Sequence, residues 1–115
     1  MMKLLKREKN PATLPSRYDV VIEAVRYNED GSLKTARIYE RRGPTWSDRL
    51  LISRQELLER LKKGQKVVIG ARKPYLASTF EVVANVQLTN VNGREVLTTT
   101  AEQSAQDCLP QAPLF

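Results

Sequence analysis

Ser53-Arg54-Gln55-Glu56-Leu57-Leu58-Glu59-Arg60-Leu61-Lys62-Lys63-Gly64 is the stretch that decides the fold. Ser53 followed three residues later by Glu56 is a capping box, in which each side chain satisfies the other residue's backbone N–H. Ile52 before the cap and Leu57 after it form the matching hydrophobic staple. Leu57, Leu58 and Leu61 make one apolar stripe. Lys62 and Lys63 sit where cations complement the helix dipole, and Gly64 ends the helix. This predicts a helix of about three turns, a strut against a sheet and the chain's single helix.

Everything around it has strand chemistry. Upstream, Tyr18 to Val25 is β-branched, with Tyr18, Val20, Ile22 and Ala24 predicted on one face. Asn28-Glu29-Asp30-Gly31 has turn composition rather than the spacing of a calcium loop. A second strand over about Leu33–Arg41 completes a hairpin ended by Gly43-Pro44, and Arg49 to Ile52 is a short third strand. Downstream, Lys66 to Arg72 is a nearly continuous apolar run, and Gly70 within it predicts a bulge or bend. Phe80, Val82, Ala84, Val86 and Leu88 alternate with Glu81, Val83, Asn85, Gln87 and Thr89. Asn92-Gly93 is the signature of a type I′ turn, which returns the strand Arg94–Thr100 with Leu88 opposite Leu97 and Val86 opposite Thr99.

The predicted class is α+β, mostly β: a small five- to six-stranded antiparallel barrel with one helix between strands three and four. This element order resembles the OB-fold over roughly Arg17 to Thr100, a likeness of topology without a sequence motif. It implies oligonucleotide binding across one face of the barrel. The folded domain is expected over residues 17–100. Residues 1–16, interrupted by Pro11 and Pro15, are expected to be a flexible basic arm. Residues 101–115, rich in Gln, Ser, Ala and Pro, are expected to be a flexible tail.

Much chemistry is excluded by composition. The 115 residues contain no histidine and one cysteine, Cys108. That removes triads and dyads built on imidazole, and zinc or iron–sulfur sites built on imidazole or several thiolates. Five glycines form neither a Walker loop nor a dinucleotide fingerprint. A non-enzymatic protein with no cofactor and no metal is expected. No segment reaches the about 7–15 apolar residues of a signal peptide or the about 20 of a membrane span. The expected location is therefore cytoplasmic, without a membrane partner, which a lone cysteine also fits.

The net charge of +6 is unevenly placed: residues 36–73 hold eleven basic and four acidic side chains, and residues 1–17 five basic and one acidic. Clustered cations interleaved with aromatics are what single-stranded nucleic acid requires, cations for phosphates and rings for bases. The candidate contacts are Arg41, Arg42, Trp46, Lys62, Lys63, Lys66, Arg72, Lys73 and Tyr75, with packing of Trp46 and Tyr75 in the core as the alternative role. The expected function is single-stranded or sequence-nonspecific nucleic-acid binding. The alternative is a protein-interaction module contacting its partner through an edge strand or the tail. In the tail, Gln111-Ala112-Pro113-Leu114-Phe115 resembles the peptide by which bacterial replication proteins dock on the sliding clamp. Gln111, Leu114 and Phe115 match, and Ala112 stands where leucine is usual. The resemblance implies a protein-docking role for those three residues.

Overall fold

The computed structural model describes residues 17–73, 79–99 and 106–115. The strands are β1 Val20–Tyr27, β2 Leu33–Arg42, the two-residue β3 Thr45–Trp46 and β4 Leu50–Ser53, followed by helix α1 Arg54–Lys62, then β5 Val67–Arg72, β6 Phe80–Val91 and β7 Arg94–Thr99. They form one curled sheet in the order β3-β2-β1-β5-β6-β7, with β4 also pairing β2. The mostly-β, barrel-like α+β class is the one predicted. Two features go beyond it. The sheet stays open as a half-barrel. Its central pair, β1 with β5, is parallel, Val20 facing Val67 and Ile22 facing Ile69. The reason is α1: it carries the chain from β4 into β5 in the same direction, and β4, like β1, runs antiparallel to β2.

The local signals act as their chemistry requires. Ser53 accepts from the Glu56 N–H at 3.2 Å, and the Ser53 N–H donates to Glu56 Oε1 at 3.1 Å. Asn92 and Gly93 both have positive φ, 53° and 83°, as a type I′ turn demands. The resulting register sets Leu88 opposite Leu97 and Val86 opposite Thr99.

The sheet buries both faces. On the helix side, Val20, Ile22, Val25, Ile38, Ile69, Val86 and Leu97 pack with Leu57 and Leu58 of α1. Full burial of each such side chain stabilises by about 1.5–3 kcal/mol. On the other side a smaller cluster joins Val21, Tyr39, Val68 and Phe80, with Tyr18, Trp46 and Val82 at its margin. Two β-bulges redistribute residues between the two layers. In β1 the register shifts between Ile22 and Ala24, so that Val25, and not Ala24, rejoins Val20 and Ile22 in the main core. In β6 the register shifts between Ala84 and Val82, opposite Ile69 and Gly70. Phe80 and Val82 thereby leave the face of Ala84 and Val86, correcting the single face expected of that strand. Gly70 lies opposite this bulge, whose extra residue belongs to β6 and not, as expected, to the strand of Gly70 itself. A Cβ there would lie 2.6 Å from the Glu81 backbone oxygen.

Residues 106–115 correct a second expectation. They are packed rather than loose, because one acid, one leucine and a backbone edge hold them. The Asp107 carboxylate, its side chain 2% exposed, accepts from the Leu33 N–H at 2.7 Å, the Leu97 N–H at 2.9 Å and Arg54 Nε at 2.8 Å. Leu109 is fully buried in the main core, and its N–H donates to the Tyr27 hydroxyl. Beyond the bulge in β1, the Val25 N–H donates to the Pro113 carbonyl and the Phe115 N–H to the Val25 carbonyl. The segment thus stitches β7 to β1 and to the start of β2. Residues 1–16 and 101–105 lie outside the described residues.

Candidate nucleic-acid interface

The face opposite α1 carries the most concentrated chemistry. β2 places Arg37, Tyr39 and Arg41 alternately on it, while Ala36 and Ile38 enter the main core. The rings form a chain: Tyr18 to Trp46 at 5.7 Å, Trp46 to Phe80 at 4.9 Å, and Phe80 to Tyr39 at 5.2 Å between centroids. Guanidiniums lie over these rings. Arg41 sits 4.6 Å from the Trp46 centroid, and Arg72 sits 4.3 Å from that of Tyr39 and 5.5 Å from that of Phe80. Desolvated contacts of this kind are worth up to about 2 kcal/mol each.

Glu23, the residue displaced by the β1 bulge, anchors the next part of the face. Its carboxylate pairs with Arg37 at 2.8 Å and Arg49 at 3.0 Å, and accepts from the Tyr39 hydroxyl at 3.1 Å. Tyr39 in turn accepts from Arg49 Nε, and this bond, ahead of the nearby Glu23 charge, raises the Arg49 pKa. Past Arg37, Arg26 and Arg37 both lie over the Phe115 ring, 4.5 and 4.9 Å from its centroid. Arg26, Arg37, Arg41, Arg49 and Arg72 therefore form one array linked by rings and by a single carboxylate.

Of the residues singled out in the sequence, Arg41, Trp46 and Arg72 come together here. Arg42 does not join them, because it pairs with Glu40, which also holds Arg60 of α1 at 2.7 Å. Those bonds, that from Arg60 foremost, lower the Glu40 pKa against the opposing effect of burial. Lys62 and Lys63 ride on the helix side of the sheet, where Lys62 pairs with Glu95 and Lys63 caps α1. Lys66 and Lys73 are exposed at the two ends of β5, and Tyr75 lies outside the described residues.

Trp46 is half-buried against Tyr18 and Phe80, so it lids the smaller core. Gln111 and Leu114 are exposed, whereas Phe115 rests on the chain's own arginines rather than standing free for a partner. Sequence reasoning missed Arg26, Arg37, Tyr39 and Glu23, and counted Arg49 only as part of the basic stretch. The period-two pattern Arg37-Ile38-Tyr39-Glu40-Arg41 was the available signal: cation, ring and cation on one face of a strand.

No family model matches the chain. Neither a curated protein nor a solved structure matches it either. Among the described residues, no cluster of three or more Cys, Asp or Glu is placed to hold a metal ion, and no helix is long and apolar enough to cross a membrane.

Proposed function

We propose that this domain is a non-enzymatic binder of single-stranded nucleic acid, without sequence preference, acting through the arginine–aromatic face of its sheet. The observation carrying the reading is the placement of Arg41 and Arg72 over one ring cluster, continuous with Arg49, Arg37 and Arg26. A guanidinium held over a ring loses less side-chain freedom on binding and can still offer N–H groups to phosphate oxygens. Tyr39 and Phe80 are 3% and 6% exposed, so their work is to position the arginines rather than to stack on bases. Affinity therefore comes chiefly from phosphate contacts and weakens with salt, with a slope of about 0.7 per contact on a single strand.

The test is fluorescence anisotropy of a labelled oligothymidylate at two salt concentrations. Arg41→Glu with Arg72→Glu should abolish most binding and flatten the salt dependence. Lys62→Glu with Lys63→Glu, on the opposite face, should have a much smaller effect. Absence of wild-type binding at low salt, or a larger loss from the lysine pair, refutes the reading.

A protein-interaction role is the second reading. It rests on β4, which pairs only with β2 among the described strands and carries Leu51 at 63% exposure. Such an edge accepts an added strand. Association that persists at high salt and is lost in Leu51→Lys would favour it.

A further inference from the structure

The Phe115 ring reaches the arginine face from beyond the last strand of the sheet. Arg26 and Arg37 both lie over it, and Arg26 Nε also donates to the Phe115 backbone oxygen at 2.9 Å. The anchors of the segment lie elsewhere: Asp107 and Leu109 hold it in the core, and Pro113 and Phe115 pair with Val25 through backbone atoms alone. The ring therefore caps two guanidiniums without being needed to tie the segment down. A planar group over two cations, beside further arginines, has the environment of an unpaired base whose flanking phosphates are neutralised.

We propose that the position held by the Phe115 ring, against Arg26 and Arg37, is a nucleobase-stacking site that the chain fills with its own side chain. The inference rests on the arginine-face reading and adds a base-specific contact to it. Phe115 competes with an incoming base, so the ring lowers affinity until it is displaced. The occupant is an unpaired base on a single strand, since a base stacked within a duplex has no free face to offer.

The experiment compares wild type with Phe115→Ala on two probes of equal length, an oligothymidylate and a fully abasic phosphodiester. Phe115→Ala should bind the oligothymidylate about tenfold more tightly, the release of two cation–ring contacts, and the abasic strand as wild type does. Adding Arg26→Ala to Phe115→Ala should remove the gain. If Phe115→Ala melts early, Phe115→Leu makes the same comparison with apolar bulk but no ring. Unchanged oligothymidylate affinity overturns the stacking site and leaves the arginine face standing. Equal gains on both probes also overturn it, since the ring then only shields charge. No binding by either protein at low salt overturns the arginine face and the stacking site together.

Discussion

Replacing Asp107 with alanine tests whether residues 106–115 are part of the folded domain. The carboxylate serves donors from three places in the chain: the Leu33 N–H, the Leu97 N–H and the Arg54 guanidinium. Alanine leaves two backbone N–H groups without an acceptor, at about 1–3 kcal/mol each. It also takes the carboxylate from Arg54, but that side chain keeps the Glu95 carbonyl as an acceptor, is 30% exposed and regains water. Water entering the vacated space recovers part of the rest. The net loss is about 3–5 kcal/mol, the range for breaking a buried pair. Against a total of about 5–15 kcal/mol for a domain, that is a large share. Urea unfolding followed by far-ultraviolet circular dichroism should show the midpoint fall by roughly 2–3 M, for a slope of about 1.5 kcal/mol per molar. The same site predicts a pH dependence. Burial pushes the Asp107 pKa up, but Arg54 and the two N–H groups outweigh it and hold the value below that of an ordinary aspartate. Its contribution is therefore complete above about pH 3.9, the unfolded value. It disappears as pH falls through the lower folded value, and Asp107→Ala should lack that component of acid unfolding. A variant within about 0.5 kcal/mol of wild type, ordinary surface scatter, would refute the docking.

Gly70→Ala should cost about 1–3 kcal/mol, because the new methyl meets the Glu81 backbone oxygen at 2.6 Å and the strand must shift; a thermal melt reads this directly. Ser53→Ala should cost about 0.5–2 kcal/mol through loss of the cap, visible in the same melt. Trp46→Ala should destabilise by about 1–3 kcal/mol, below the range for a fully buried tryptophan, because the ring lids Tyr18 and Phe80; a melting temperature equal to wild type would contradict that packing.

Local chemistry was legible in the sequence, and long-range chemistry was not. The capping box at Ser53 and Glu56, the turn at Asn92-Gly93 and the register it sets depend on residues close in the chain. The bulge at Glu23 was hidden because Val20-Val21-Ile22 is apolar at every position, leaving no alternation to break. The bulge in β6 was hidden for the converse reason: Phe80 to Leu88 alternates so regularly that an extra residue leaves no mark. Asp107 stands among small polar residues, and its Leu33 partner is 74 positions away. Of the candidate interface, the cations of residues 36–73 were visible as a cluster. Their division between two faces was not, since it depends on which acids reach them: Glu40 takes Arg42 and Arg60, and Glu95 takes Lys62.

The stitching of residues 107–115 onto β1, β2 and β7 bears on how the chain matures during translation. A polypeptide emerges N-terminus first, at about 5–20 residues per second. The β1–β2 hairpin can form early, but the partner of β1 in the centre of the sheet is β5, which follows the whole of α1. Even then the Leu33 and Leu97 amides wait for Asp107, and the free edge at Val25 waits for Pro113. A nascent chain stalled before residue 107 would hold a nearly complete sheet with an open flank and an unplugged core. Folding intermediates of that length would expose the flank of β1 and part of the core until residues 107–115 close over them.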